Sequence, residues 1–213
     1  MTYRLIFLLV AFLPIRAEIV DRIAITVGRE VITEGQIGEE LRVTAFLNHA
    51  PISEDLESRR AAADRIVAQL LVEQEMQLSH YPEPEPDEIN RYLQEVRKGL
   101  STEADYQQAL TAYQITEPIL KKHLVSQLAT LSFIELRFHP SLDIPESEIR
   151  SFYTQELATW DKDHPNIPPP SFQMARPAIV KTLTEEHTDQ ILDTWLEEAR
   201  KQVSIIYLDK ALQ

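Results

Sequence analysis

The chain has 213 residues, of which 44% are apolar and 26% are charged, so it can build a folded core. It carries 34 acidic and 21 basic residues, for a formal net charge of -13 at pH 7. So acidic a chain is repelled by nucleic acid and anionic lipid, and a sequence without cysteine excludes disulfides and thiol chemistry.

The first 17 residues have the layout of a secretory signal peptide. Arg4 supplies a positive start, residues 5–13 are apolar, and Ala17 is a small residue at the expected cleavage site. The apolar run is too short to span a bilayer, which takes about 20 residues. We therefore expect cleavage after residue 17 and a periplasmic protein without stable membrane insertion. Residues 18–213 are expected to form a single domain.

Residues 20–37 predict a β-hairpin that leads into a helix. Ile23, Ile25 and Val27 alternate with more polar residues, which is typical of a strand with one buried face. Gly28 then takes the first turn position, where a type II′ hairpin needs a positive φ. The second strand is expected to follow this turn at once.

The helix after the hairpin is expected to start at Glu34. Thr33 and Gln36 have the spacing of a capping box, in which each side chain binds the backbone N–H of the other residue. A two-stranded hairpin buries too little surface to be stable alone. We expect Val203–Leu208, the other stretch with strong β character, to join it as a third strand.

Apolar periodicity and capping residues predict helices along the rest of the chain. The expected helices are Glu34–Asn48, Glu54 to about His80 with Ser53 as its cap, Pro86 to Gly99, a helix from Ser101, Thr116 to about Phe138, Pro145 to about Ala158, and Ala178–Gln202. Tyr81–Pro86 is expected to be an extended spacer, because its alternating prolines exclude a helix. The predicted fold is mostly α, a multi-helix core with a small antiparallel β-sheet made from the N-terminal hairpin and the C-terminal strand.

The helix from Thr116 to Phe138 is apolar on two sides. The first stripe consists of Leu120, Leu124, Leu128, Leu131 and Ile134, and the second of Val125, Ala129, Phe133 and Leu136. A helix that is apolar on two sides has to bury both. Either the last helix, Ala178–Gln202, covers the second stripe, or that stripe is a binding surface; covering is the favoured interpretation.

Both ends of the chain resemble the SurA-like periplasmic chaperones. Similarity to the opening hairpin and helix of that family is carried by Val20–Ala24, the turn at Gly28, Val31–Thr33 and Ile37. Similarity to its closing helix and strand is carried by Pro177–Ile179, Trp195–Arg200 and Val203–Leu208. The resemblance implies one SurA-like core, with the hairpin and helices in residues 18–158 and the closing helix and strand in residues 177–213.

Members of that family usually carry parvulin-type prolyl isomerase modules before the closing helix. Here the corresponding interval is a proline-rich loop, residues 159–176, far below the roughly 50 residues that an independent domain needs. The sequence also has no glycine beyond Gly99, whereas a small α/β module needs glycines in its turns. The resemblance therefore implies the fold and the client-binding role without the isomerase activity.

The proline-rich loop itself allows two interpretations. Trp160, Pro168–Pro170 and Phe172 could form a proline-rich ligand for another domain, or a loop held in place by aromatic side chains. We favour the second interpretation. Whether the loop binds a partner stays open at this point.

Catalytic and metal-binding patterns are missing from the sequence. No two of the six histidines lie three or four residues apart, and no cysteine can join them as a ligand. A glycine-flanked nucleophile and a phosphate-binding glycine loop are also missing. We therefore expect no enzyme activity, no catalytic residues, no metal and no cofactor.

The predicted function is that of an ATP-independent periplasmic chaperone, a holdase. Its partners would be unfolded or nascent outer-membrane or secreted polypeptides, and the candidate peptide-binding residues are Met76, Phe133, Leu136 and Phe138. Two alternatives stay open. The protein could be a prolyl isomerase with a degenerate module, or a dedicated assembly partner of one folded periplasmic protein. The client range and a homodimeric state are also open.

Overall fold

A computed structural model describes residues 21–138, 143–163 and 167–212. The predicted signal peptide, residues 1–17, lies outside the described residues. The elements are β1 (Ile23–Val27), β2 (Glu30–Thr33), α1 (Glu34–Leu47), α2 (Leu56–Leu78), α3 (Pro86–Lys98), α4 (Glu103–Ala112), α5 (Glu117–Arg137), α6 (Glu146–Asp163), α7 (Phe172–Gln202), β3 (Ile205–Tyr207) and a short 3-10 turn (Lys210–Leu212).

The three strands form one antiparallel sheet in the order β2-β1-β3. Ile25 in the central strand lies opposite Ile32 on one side and Tyr207 on the other. At the turn, the Gly28 N–H donates to the Ser204 carbonyl at 2.8 Å. The prediction of a mostly α fold, with a small sheet from the N-terminal hairpin and the C-terminal strand, is confirmed.

The local signals of the hairpin are also confirmed. Gly28 has φ +60°, and Arg29 after it has no positive φ, which agrees with the predicted turn type. The Thr33 hydroxyl oxygen accepts from the Gln36 N–H at 3.2 Å, and the Gln36 side-chain oxygen accepts from the Thr33 N–H at 2.8 Å. This capping box begins α1 at Glu34, as predicted.

The predicted alternation along β1 is wrong at its start. The pairing with β2 shifts register between Ile23 and Ile25, so Ala24 and Ile25 are both fully buried while Ile23 is 48% exposed. The Ala24 carbonyl accepts from the backbone N–H groups of Leu208 and Asp209. A β-bulge of this kind turns the strand, and here it directs the Ala24 backbone to the C-terminal end of the chain.

Three predicted helix boundaries need correction. Asp55, and not Ser53, caps α2, since its carboxylate accepts from the Ser58 N–H at 2.8 Å. The helix α6 continues past Ala158 to Asp163, and α7 begins at Phe172 and not at Ala178. Pro177 therefore lies inside α7, where it removes one backbone hydrogen bond near the start of a 31-residue helix.

The predicted proline-rich loop is shorter than expected, because helix occupies both of its ends. Between α6 and α7, residues 167–171 have no regular secondary structure. The Trp160 indole N–H donates to the Ile167 carbonyl at 2.7 Å, and the Tyr153 hydroxyl donates to the Pro170 carbonyl at 2.8 Å. Aromatic side chains thus hold the loop, which agrees with the favoured interpretation.

The buried side chains form four clusters. The sheet packs on α1, α2 and the end of α7, while Phe46 and Tyr106 centre a second cluster among α1, α3, α4 and α5. Phe133 centres a third between α2, α5 and α7, and Ile149 belongs to a fourth that joins α6 to the first half of α7. None of the helices in the described residues is both long and apolar enough to cross a membrane.

Candidate functional site

An open groove of about 960 Å³ lies between the C-terminal half of α5, the spacer before α3 and the middle of α7. We call it the α5–α7 groove. Its floor contains Leu131, Ile134 and Leu136 from α5. Leu131 is 49% exposed and Leu136 is 48% exposed, so the floor presents apolar surface to solvent.

The spacer forms one wall of the α5–α7 groove because its prolines exclude helix. Residues 81–85 have no helical structure, and α3 begins at Pro86, the favoured first position for proline. Tyr81 anchors the start of the spacer through an edge-on contact with Phe133, with ring centroids 5.6 Å apart. The extended backbone after Tyr81 therefore runs beside α5.

The opposite wall is α7, which the same phenylalanine holds in place. The Trp195 ring lies 5.0 Å from the Phe133 ring, and Leu192 packs against the same cluster. Phe133 is fully buried between the two walls. The prediction that the last helix covers the second apolar stripe of α5 is therefore right for Phe133 and wrong for Leu136, which α7 leaves exposed.

The structure separates the four predicted peptide-binding residues. Leu136 lies on the floor of the α5–α7 groove. Met76 and Phe138, each 6% exposed, and Phe133, with no exposure, are buried together behind that floor. In this conformation they support the groove and do not face a client.

Sequence reasoning missed two parts of the groove. Leu131 had the spacing of a core residue, but no neighbouring helix covers it. The glutamates of the spacer alternate with its prolines, and Glu83 and Glu85 both reach the rim of the groove. The alternation of proline and glutamate could have predicted this acidic rim, because prolines keep the spacer extended and so keep its charged side chains at the surface.

The rim of the α5–α7 groove is strongly acidic. The residues lining it include one cation, Lys181, whose ammonium lies 3.8 Å from the Glu185 carboxylate. The carboxylates of the lining are those of Glu83, Glu85, Glu88, Glu135, Glu185 and Asp189. Among the described residues, no cation forms an ion pair with Glu83, Glu85 or Asp189. The rim therefore presents uncompensated negative charge beside apolar surface.

A second cavity of about 510 Å³, the α1–α5 chamber, adjoins the groove at Leu131, which lines both. Its wall includes Gln127, whose side-chain oxygen is buried without a hydrogen-bond partner in the described part of the chain. A buried amide oxygen without a donor is costly.

A buried charge cluster forms another wall of the chamber. Glu40, 6% exposed, lies 3.0 Å from His123 Nδ1 and accepts from Arg65 Nε at 2.9 Å. Burial raises the pKa of Glu40, but the hydrogen bonds from His123 and Arg65 outweigh it and hold that pKa below its usual value. The cluster ties α1 to α2 and α5.

The Glu40–His123 pair does not form a catalytic site with the hydroxyl nearest in sequence. Ser126 lies one turn after His123, but its hydroxyl donates to the Glu73 carboxylate at 2.7 Å and not to the histidine. Nucleophilic catalysis requires the nucleophile and its base to be hydrogen-bonded. In the described residues, moreover, no group of three or more histidine or acidic side chains is placed to hold a metal ion.

Comparison of the chain with models of known protein families gives no match, and comparison with curated proteins gives none either. The resemblance to SurA-like chaperones therefore remains a prediction from the residues at the two chain ends. The feature of the described residues that bears on function is the α5–α7 groove.

Proposed function

We propose that this protein is an ATP-independent periplasmic chaperone that holds unfolded outer-membrane or secreted polypeptides in the α5–α7 groove. The observation that supports this most directly is the pair of half-exposed leucines, Leu131 and Leu136, on the floor of an open groove. Exposed apolar surface inside a concavity is typical of polypeptide-binding sites. The periplasmic location rests on the predicted signal peptide.

A chaperone of this kind needs only weak apolar contacts with its client. Covering both leucines with client side chains contributes about 1 kcal/mol each, since roughly half of each side chain is already buried. Ordering the client costs several kcal/mol, so only a segment with several apolar residues binds with useful affinity. Such binding is reversible without ATP.

The mechanism requires no chemical step. A protein that binds the unfolded client lowers the concentration of free aggregation-prone chain, and so slows aggregation by mass action. Folding or membrane insertion of the client then competes with rebinding.

A light-scattering assay with an unfolded outer-membrane protein tests the proposal. Wild-type protein should suppress aggregation at stoichiometric amounts. The double variant Leu131→Gln/Leu136→Gln should lose most of that suppression, because glutamine keeps the helix propensity of leucine but removes the apolar floor. Leu56→Gln is the matched control, since Leu56 is 45% exposed in the first turn of α2 and does not line the groove.

Three results would contradict the proposal. Wild-type protein that leaves aggregation unchanged at stoichiometric amounts is not a holdase for that class of client. Catalysis of cis/trans exchange in a proline tetrapeptide would indicate an isomerase instead. A pull-down that yields one stoichiometric folded partner and no unfolded clients would favour the assembly-partner alternative.

A further inference from the structure

We infer that the α5–α7 groove selects client segments in which apolar side chains are flanked by lysine or arginine. The inference rests on the proposed chaperone function and names the class of polypeptide that the groove takes. It follows from the position of the charges relative to the apolar floor. Leu131 and Leu136 lie between a wall that carries Glu83 and Glu85 and a wall that carries Asp189.

The three carboxylates on these walls have no partner to neutralise them within the described residues. In the part of the chain that the structure describes, no ion pair involves Glu83, Glu85 or Asp189, and the ammonium of the nearby Lys181 lies 3.8 Å from the Glu185 carboxylate. All three acidic side chains belong to residues exposed to solvent. They are therefore free to meet cations that arrive with a client.

The floor and the rim together define the complementary ligand. A client leucine or phenylalanine would cover the exposed floor, and cationic residues on either side of it would reach the carboxylates of the two walls. A segment flanked by acidic residues would place like charges against the rim, which disfavours binding. An extended segment with an apolar centre and basic flanks satisfies both parts of the groove at once.

The carboxylates also set the kinetics and the salt dependence of binding. Charges on a rim act mainly on the association rate, and salt weakens them. The screening length is about 10 Å at 0.1 M ionic strength and about 3 Å at 1 M. Preference for basic flanks should therefore be strong in dilute buffer and weak in concentrated salt.

The experiment uses three fluorescein-labelled peptides with the same apolar centre, flanked by lysine, glutamine or glutamate. Binding to the wild-type protein is measured by fluorescence anisotropy at low and at high sodium chloride concentration. We expect the lysine-flanked peptide to bind about tenfold more tightly than the glutamine-flanked one at low salt, with the ratio falling below about threefold at high salt. The glutamate-flanked peptide should bind most weakly.

A variant with a matched control assigns the effect to the groove. Glu83→Gln/Glu85→Gln/Asp189→Asn should lose the preference for lysine while binding the glutamine-flanked peptide as before. Glu30→Gln/Glu54→Gln/Glu156→Gln removes the same number of charges from exposed positions that do not line the groove. This control should keep the preference for the lysine-flanked peptide, because it leaves the carboxylates of the groove in place.

The outcomes separate this inference from the chaperone proposal. Equal affinity for all three peptides, together with suppression of aggregation, overturns the charge selection and leaves the chaperone function standing. Loss of the preference in both triple variants assigns it to net charge and also overturns the inference. Absence of binding to every peptide, with no suppression of aggregation, defeats both proposals.

Discussion

The sheet of the N-terminal hairpin and the C-terminal strand buries the apolar residues of one face, whereas the α5–α7 groove leaves apolar residues exposed. In the sheet, Ala24, Ile25 and Val27 are fully buried, and the Gly28 N–H is bonded to the last strand. In the groove, Leu131 and Leu136 are half-exposed, and no helix covers them. The chain closes the inner face of the sheet and leaves the α5–α7 groove open. The open surface is therefore the one to examine for function.

The buried cluster behind the groove connects the two regions, and breaking it should have the largest effect. Phe133→Ala removes a fully buried ring that contacts Tyr81, Phe138 and Trp195. We expect a loss of about 3–5 kcal/mol in the free energy of unfolding, because the ring leaves a cavity between three helices. Urea denaturation followed by circular dichroism measures this.

A matched control is Phe152→Ala, because Phe152 is only partly buried, in the cluster of α6 and α7. Phe152→Ala should lower the free energy of unfolding by clearly less than Phe133→Ala does. If Phe133→Ala lowers the free energy of unfolding by less than about 1 kcal/mol, this ring does not hold the two walls of the groove together.

The second prediction concerns the charge cluster that ties α1 to α2 and α5. Glu40→Gln should cost about 1.5–3 kcal/mol near neutral pH, because His123 and Arg65 lose a buried charged acceptor. The folded-state pKa of Glu40 lies below its unfolded value of about 4.5, so its charge stabilises the fold above that pH. The stabilisation is lost as the pH falls through the lowered value.

The free energy of unfolding of wild type and of Glu40→Gln, measured as a function of pH, therefore tests whether the Glu40 pKa is lowered. The difference between their free energies of unfolding should shrink as the pH falls below about 5. Glu39→Gln is the control, since no ion pair holds Glu39 within the described residues. A difference that grows as the pH falls would show that the Glu40 pKa is raised and not lowered.

The third prediction addresses the hairpin turn of the sheet. Gly28→Ala places a Cβ at φ +60°, where it would lie 3.3 Å from a methyl group of Val203. An L-residue in this conformation costs about 1–2 kcal/mol, and here the close contact with Val203, the residue after α7, adds to it. Thermal unfolding measures the loss. Gly99→Ala, at a residue with φ -63°, should cost less, because only the 3.3 Å contact of its Cβ with the Val96 carbonyl oxygen opposes it.

Sequence reasoning succeeded where the signal was local or where few candidates existed. The capping box of Thr33 and Gln36 depends on residues three positions apart, and the turn at Gly28 depends on one φ angle. Closure of the sheet was predicted because a lone hairpin needs a third strand and Val203–Leu208 was the one other candidate; within it, Ile205–Tyr207 form the strand. Each of these features was confirmed.

Sequence reasoning failed where distant contacts decide the structure. At the bulge, the Ala24 carbonyl accepts from the N–H groups of Leu208 and Asp209, which are distant in sequence, and no pattern around Ala24 indicates these contacts. Helical periodicity shows that α5 is apolar on two sides but not which residues the neighbouring helices leave uncovered. That is why Phe133 was proposed as a client contact and Leu131 as core, whereas the structure buries the first and exposes the second.

The smallest effect on stability should come from the floor of the groove. Leu136 lies three residues after Phe133 in the same helix, yet it is 48% exposed, while Phe133 is fully buried. Leu136→Gln should therefore change the free energy of unfolding by less than about 0.5 kcal/mol, because surface substitutions with similar helix propensity are nearly neutral. The same variant should weaken peptide binding. A large loss of stability instead would place Leu136 in the packed core, and the groove would then lack the exposed apolar floor on which the proposed function depends.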